Sequence, residues 1–197
     1  QALVNAHFNP KAAAVAFEDY KPGDKLVPFK VLDGTLKGTE LVGISYEQLI
    51  PWFNPGEGAF RVIPGDYVTT EDGTGIVHIA PTFGADDAKV ARLAGVPGLQ
   101  VVDRNGDLQA QVDLRGRFFR IEDLDPEYAA ANMSPDYAEW AGRYVKNAYD
   151  AELPADAPTL DVDICVMLKQ QNKAFKVEKH THNYPHCWRT DKPVLYY

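Results

Sequence analysis

A histidine and an aspartate, His78 and Asp87, stand at positions where apolar side chains would be expected. His78 lies inside the short apolar run 76–80, and in a strand it would share a face with residues 76 and 80. Asp87 follows nine residues later and is succeeded by apolar residues at i+3, i+4 and i+7, so it heads the apolar stripe of a predicted helix. An imidazole and a carboxylate on inward-facing element ends predict a small pocket, with Asp87 placed to meet a ligand's positive charge.

Each of these residues also has an ordinary structural interpretation. A single histidine in an apolar strand is more often a core residue, and an aspartate in a helix's first turn is more often a cap. Asp86, with Lys89 at i+3, fits that capping or dipole role better than Asp87 does. The combination of histidine, aspartate and the surrounding turn residues favours a site.

The elements that must position these side chains are a turn, a strand, a second turn and a helix. Gly73 and Gly75 allow the first turn, because glycine adopts backbone angles that clash for other residues. Pro81 ends the predicted strand, and Gly84 marks a turn before the helix that carries Asp86 and Asp87.

This stretch resembles the signature of the editing domain of class I aminoacyl-tRNA synthetases. Residues 73–87 read Gly-Thr-Gly-Ile-Val-His-Ile-Ala-Pro-Thr-Phe-Gly-Ala-Asp-Asp, and the segment is similar to the isoleucyl pattern. The C-terminal Tyr-Pro-His-Cys-Trp-Arg of residues 184–189 also resembles the isoleucyl enzymes, at the point where the insert returns to the catalytic body. The two matches lie at opposite ends in the right order, so the resemblance extends over the whole chain.

The resemblance implies a proofreading function, the hydrolysis of valyl-tRNA made in error by an isoleucyl enzyme. It implies that Asp87 anchors the substrate ammonium and that His78 is the wall beside the substrate side chain, excluding the larger amino acid. Thr69, Thr70 and Thr74 are further candidates for the pocket lining, and Asp86 is the alternative carboxylate. The resemblance also implies a domain at 1–172 and a return ribbon at 173–197.

The partners implied are the acceptor end of an isoleucine-specific tRNA and the rest of the synthetase chain, with no cofactor for editing. ATP and Mg belong to the parent enzyme, whose His-x-Gly-His and Lys-Met-Ser-Lys-Ser signatures do not occur here. The family's threonine-rich Thr-Thr-Pro-Trp-Thr peptide does not occur either, which leaves open whether the isolated chain is active. The alternative function is a tRNA-gripping or structural insert without activity of its own.

Composition places the chain among cytoplasmic globular proteins. Its 197 residues are 45% hydrophobic, enough for one domain with a real core, and no apolar run approaches a membrane span. Gln1 is not a natural initiator, so we expect an excised fragment, which we also expect to be monomeric. Two cysteines provide no disulfide framework and fit a reducing cytosol.

The charge distribution argues against a free-standing nucleic-acid binder. The net charge is −8, whereas contact with phosphates requires clustered lysine and arginine. Residues 173–192 are an exception, with five Lys or Arg against two acids. Two interpretations explain this segment equally well. It is either a solvent-exposed strand whose lysines extend their charged ends into water, or an edge that faces RNA.

Turn and cap signals predict many short strands with a few helices between them. Helices are expected from Asn9-Pro10 to Tyr20, from Asp125-Pro126, from Ser134-Pro135 and over 159–172. Strands are expected over 26–32, 36–49, 59–70, 76–80 and 174–182, with a hairpin at 99–112 around the Asn-Gly turn and a ribbon in the last fifteen residues. This order predicts an α+β fold with a small closed or strongly curved sheet, and the resemblance implies a β-barrel core with peripheral helices.

The histidines and cysteine near the C-terminus form a weaker candidate for a metal site. His180, His182, His186 and Cys187 are possible zinc ligands. Relatives that bind zinc here have a second cysteine three residues after the first, but position 190 is Thr. We therefore expect no metal at this site.

Overall fold

The protein is described by a computed structural model covering residues 2–71, 73–154, 156–179, 181 and 183–195. Its α-helices are α1 (Ala2–His7), α2 (Gly38–Leu41), α3 (Ala85–Leu93), α4 (Pro126–Asn132) and α5 (Leu160–Gln170). Its strands are β1 (Gln100–Val102) and β2 (Leu108–Ala110). Single turns of 3-10 helix occur at Pro10–Ala14, Phe17–Asp19, Ile121–Asp123, Pro135–Glu139 and Asn147–Tyr149. No helix in the described part of the chain has the length and apolar character needed to cross a membrane.

The core lies in the second half of the chain and is built around aromatic rings. Trp52 and Phe53 enter it from a loop, and Phe53 packs edge-on against Tyr137 with ring centroids 4.5 Å apart. Trp52 lies 5.1 Å from Trp140, and both are almost completely buried. Burial raises the pKa of the Tyr137 phenol, whose hydroxyl donates to the carbonyl of Phe119. The remaining core side chains are Val101, Leu124, Ala129 and Leu160.

The hairpin and two helices form where the sequence predicts them. β1 and β2 pair antiparallel, with Val101 opposite Gln109, and the turn between them contains Asn105 and Gly106. α4 begins after Asp125, whose side chain accepts a 2.8 Å hydrogen bond from the Tyr128 backbone N–H. α5 follows Thr159, although the Thr159 side chain makes no capping bond.

The predicted N-terminal helix is reduced to two isolated 3-10 turns. Asn9 caps the first as expected, its side chain accepting from Lys11 N–H at 3.0 Å, but the backbone becomes extended again at Val15. Only Ala12 of this turn is buried. A short helix that buries so little is marginal in water, because tertiary packing supplies most helical stability. The expected third helix, from Ser134, is likewise a single 3-10 turn, which Ser134 caps.

The mixed α+β content is confirmed, but the closed or strongly curved barrel is wrong for the described residues. They contain one open sheet of two strands, whereas a barrel requires every strand to bond two neighbours. The segments predicted as strands over 26–32, 59–70 and 76–80 run without ladder pairing, and 36–49 contains α2. One bridge, Ser45 to Arg61, joins two of them. Short backbone hydrogen bonds flank it, from Tyr46 N–H to the Phe60 carbonyl and from Val62 N–H to the Ile44 carbonyl, both at 2.8 Å.

The C-terminal region is also less regular than expected. The described residues of the predicted strand 174–182 are not in a ladder, and His180 and His182 lie outside the described residues. The ribbon predicted for the last fifteen residues is present as a narrow turn closed by a bridge between His186 and Pro193.

Truncating Phe53, one of the two most buried rings of the aromatic core, gives a direct test of its role. We expect Phe53→Ala to lower the free energy of unfolding by about 3–5 kcal/mol, because Phe53 is 1% exposed and its removal leaves a cavity. Leu114→Ala is the control: this side chain is 79% exposed, so we expect a change within about 0.5 kcal/mol. Urea unfolding of both variants measures the difference, and equal losses would contradict the assignment of the core.

Candidate functional site

The segment 73–87 has the order of elements that its sequence predicts, except that its strand is unpaired. Gly73 and Gly75 adopt left-handed backbone angles, φ 79° and 78°, and make the first turn. Residues 76–80 have no regular secondary structure and join no ladder among the described residues. Phe83 N–H then bonds the Ala80 carbonyl at 3.0 Å, which closes the second turn before α3.

A hydrogen bond to Asp87 links Ala80, the last residue of segment 76–80, to the first turn of α3. Asp87 Oδ2 accepts this 2.8 Å hydrogen bond from the Ala80 backbone N–H, and the Asp87 side chain is half-buried. A Cβ at Gly84 would lie 3.2 Å from the same Oδ2, so the backbone at Gly84 passes unusually close to the carboxylate. These contacts fix the carboxylate in place and leave its second oxygen for another donor. Asp86, one residue earlier, is exposed.

His78 is exposed, which corrects the prediction that it faces inward among apolar neighbours. Ile76 and Val77 beside it are also open, 60% and 53% exposed. The reason is that no strand among the described residues pairs with segment 76–80, so alternation along it does not separate a buried face from an exposed one.

A cavity of about 800 Å³ brings His78 together with distant parts of the chain. Its wall is formed by residues 75–83, by residues from the stretch 38–70 and by several residues between 91 and 111. Thr70 and His78 both line it, so the structure places these two predicted residues at one site. Asp86 and Asp87 are not among the wall residues, but Asp87 is hydrogen-bonded to Ala80, which is one, and so lies next to the wall.

The other two predicted threonines, Thr69 and Thr74, are not among the wall residues. The Thr74 hydroxyl is used inside its own turn, where it donates to the Ile76 carbonyl at 3.2 Å. Thr69 is exposed, and it is absent from the lining among the described residues. Thr70 lies close to the first turn: a Cβ at Gly75 would come within 3.2 Å of its methyl group.

Three charged wall residues could not be found by reading the sequence. Glu47, Arg61 and Asp66 line the cavity, but each comes from a loop or extended segment without a motif. Arg61 also donates from Nη2 to the Ala94 carbonyl at the end of α3, which links this wall residue to the helix that carries Asp87. Only folding brings these groups within reach of the 73–87 segment.

Alanine substitutions at the two glycines of the first turn test the contact with Thr70. Both positions have positive φ, so we expect each alanine to cost about 1–2 kcal/mol in the free energy of unfolding. Gly75→Ala should cost more than Gly73→Ala, because only at Gly75 would the new methyl group press on Thr70. Urea unfolding of the two variants checks this, and equal losses would mean that Thr70 is not held against the turn.

The predicted absence of zinc remains a prediction. The described residues contain no group of three or more His, Cys, Asp and Glu side chains that could hold a metal, but His180 and His182 lie outside them. Cys187, within the C-terminal turn, has its thiol pKa lowered by hydrogen bonding to Thr190.

Comparison with known proteins adds an independent observation. No protein-family model matches the chain. It is 66% identical over 198 residues to the isoleucine–tRNA ligase of Bacteroides fragilis and 60% identical over 197 residues to that of Porphyromonas gingivalis. A third ligase of this specificity, from Thermoplasma volcanium, is 40% identical over 169 residues, or 86% of the chain. The chain spans 17% of the length of the first two relatives and 13% of the third. Over its whole length, this chain is therefore similar to one segment of the isoleucine–tRNA ligases.

Proposed function

We propose that the chain is the proofreading segment of an isoleucine–tRNA ligase, comprising an editing domain over 1–172 and a return ribbon over 173–197. In this proposal it hydrolyses the ester between valine and the isoleucine-specific tRNA. The observation that carries the proposal is the cavity that has His78 on its wall and the fixed carboxylate of Asp87 next to that wall. The similarity to the ligases supplies the biological setting.

A second hydrolytic site is needed because binding energy alone separates isoleucine from valine poorly. One methylene group in an apolar pocket contributes about 1–3 kcal/mol, a limit for which isoleucyl-tRNA synthetase is the standard case. A second pocket that excludes the larger side chain can then remove the smaller, wrong amino acid. Such a pocket requires an anchor for the substrate and a wall at a fixed distance from it.

Asp87 has the properties of the anchor. A carboxylate binds the α-ammonium group of an aminoacyl ester through charge-assisted hydrogen bonds. One oxygen of Asp87 is held by the Ala80 N–H, so the carboxylate is oriented before the substrate arrives. Among the described residues Asp87, and not Asp86, is hydrogen-bonded to a wall residue, which supports Asp87 as the anchor.

His78 has the position of the wall. It lies two residues before Ala80, whose N–H donates to the Asp87 carboxylate. Only Ile79 therefore separates His78 from the residue that is bonded to Asp87. A substrate held by its ammonium at Asp87 would extend its side chain towards segment 76–80. Thr70 lines the same cavity and is the threonine best placed to contact the substrate, ahead of Thr69 and Thr74.

Water is the second substrate of the reaction. Its oxygen forms a bond to the ester carbonyl carbon, and the bond from that carbon to the ribose oxygen breaks, which releases valine and free tRNA. The residues named here bind and orient the ester and exclude the larger side chain. ATP and Mg serve amino-acid activation elsewhere in the ligase, and editing uses no cofactor.

Hydrolysis of valyl-tRNA specific for isoleucine tests the proposal. The assay compares this chain, a piece extended N-terminally along the ligase sequence and the full-length ligase. We expect the full-length ligase and the extended piece to release valine, and the 197-residue chain to be less active because the threonine-rich peptide is not part of it. If the full-length ligase hydrolyses the ester and a version lacking this segment does so equally well, the segment is a structural or tRNA-gripping insert instead.

A further inference from the structure

The C-terminal turn is a closed ribbon that presents one side chain at its tip. Cys187 N–H bonds the Lys192 carbonyl at 2.8 Å, and Val194 N–H bonds the Pro185 carbonyl at 3.0 Å. Asp191 N–H returns to the Cys187 carbonyl at 2.8 Å with a left-handed backbone, φ 52°. These bonds pair the two arms of residues 184–194, which we call the tip ribbon, and residues 188–190 form the turn at its end.

Trp188 at this tip is 84% exposed, the highest value among the large hydrophobic side chains of the described residues. The tryptophans Trp52 and Trp140 are in contrast 7% and 4% exposed and belong to the core. The guanidinium carbon of Arg189 lies 4.5 Å from the centre of the Trp188 ring system. At the base of the tip ribbon the ammonium of Lys146 lies 4.0 Å from the centre of the Tyr184 ring.

The tip ribbon itself is net positive, because Arg189 and Lys192 outnumber Asp191, which is opposite in sign to the whole chain. The chain carries −8, but residues 173–192 contain five basic side chains against two acidic ones. One of the lysines, Lys176, is paired with Glu178. Arg189 and Lys192 are both on the tip ribbon, with Asp191 between them, and Lys146 adds a cation from outside the segment. A polyanion is therefore the complementary partner for this surface.

We propose that Trp188 and Arg189 form a stacking site for an unpaired nucleotide of single-stranded RNA. The proposal rests on the proposed function, in which the ligand of this segment is the acceptor end of a tRNA. An aromatic ring accepts any base face, and each stacked base contributes about 1–3 kcal/mol. An arginine stacked on the ring adds a cation–π contribution, and its in-plane N–H donors suit phosphate oxygens.

A protein partner fits the same surface less well. The buried centre of a protein–protein interface is depleted of charged residues, particularly lysine. The large apolar side chain of the tip ribbon instead has the Arg189 guanidinium against its ring, and Lys192 lies on the same ribbon. An aromatic platform combined with positive charge is the arrangement that binds single-stranded nucleic acid without reading its sequence.

The test uses the full-length ligase and a short unpaired RNA that carries the fluorescent base 2-aminopurine. Stacking of this base quenches its fluorescence, so titration yields both the dissociation constant and evidence of stacking. We expect Trp188→Ala to weaken binding by about 5- to 150-fold and to remove the quenching. Trp188→Phe should retain most of both. Leu114→Ala, which alters another highly exposed apolar side chain, should change neither.

Salt dependence separates stacking from charge. Trp188→Ala should leave the slope of log K against log salt concentration unchanged, whereas Arg189→Gln should reduce its magnitude by about 0.7, the value for one phosphate contact on a single strand. Thermal unfolding shows whether each variant retains the wild-type fold. If Trp188→Ala does not fold, RNA binding by Trp188→Phe is compared with that of the wild type instead.

Two results would overturn the proposal. One is a dissociation constant for Trp188→Ala within twofold of wild type. The other is protection of Trp188 from hydroxyl-radical oxidation in the RNA-free ligase, because another part of the polypeptide would then cover it. Hydrolysis of valyl-tRNA by the wild-type ligase is measured in parallel. If that activity is present while Trp188→Ala binds normally, only the stacking site is wrong; if it is absent, the proposed function fails independently.

Discussion

Replacing Asp87 with alanine in the full-length ligase is expected to reduce hydrolysis of valyl-tRNA by about 30-fold to several thousand-fold. The reason is that truncating one partner of a desolvated, hydrogen-bonded charge pair costs about 2–5 kcal/mol. Aminoacylation with isoleucine should be nearly unchanged, because the proposed function assigns it to another part of the ligase. Single-turnover deacylation and steady-state aminoacylation of the same preparation measure both effects.

Asp87 also has a structural contact, which the controls must separate from substrate binding. Its Oδ2 accepts the Ala80 N–H, so alanine removes this bond together with the charge. The fold should survive, since a first-turn side-chain bond of this kind contributes about 0.5–2 kcal/mol. Asp87→Asn retains an acceptor oxygen and removes only the charge, and we expect it to lose deacylation as Asp87→Ala does. Asp86→Ala should remain active; loss of editing in that variant alone would identify Asp86 as the anchor.

Replacing His78 with alanine is expected to change specificity rather than abolish hydrolysis. A wall residue restricts the size of the substrate, so its removal should admit the isoleucyl ester, with a gain of about 10- to 200-fold in its hydrolysis. Valyl-tRNA hydrolysis should remain largely intact. Deacylation of both esters by the variant in the full-length ligase gives the comparison.

A catalytic histidine would produce the opposite pattern. Loss of a general base slows every substrate, by about 10²- to 10⁴-fold. Because His78 is exposed, its truncation should change the free energy of unfolding by no more than about 0.5 kcal/mol, so a loss of folding would not account for the result. If valyl hydrolysis falls and isoleucyl hydrolysis does not rise, His78 is not the wall.

Local signals in the sequence predicted those elements that local interactions determine. The hairpin at β1 and β2 depends on its Asn-Gly turn, and α4 depends on Asp125 as cap and Pro126 at its first position. α3 and α5 were predicted from their apolar stripes, and Ile164 does pack against the core. In each case the residues that specify the element lie within it or beside it.

The barrel was predicted wrongly because strand pairing is not a local property. Apolar runs at 26–32, 59–70 and 76–80 have strand-like composition, but a strand forms only where a neighbour bonds to it, and the described residues provide one two-stranded sheet. The inward orientation of His78 depended on the same pairing and failed with it. Glu47, Arg61 and Asp66 were missed because the cavity brings together segments far apart in the chain.

The central claim is that this segment removes valine from the isoleucine-specific tRNA. The most direct measurement is the accumulation of valyl-tRNA when the full-length ligase is supplied with valine, ATP and tRNA, compared with a ligase in which residues 1–172 are replaced by a short linker. We predict that the wild-type ligase accumulates almost no valyl-tRNA, whereas the shortened ligase accumulates it and still charges isoleucine. Equal, low valyl-tRNA in both, with isoleucine charging intact, would contradict the account.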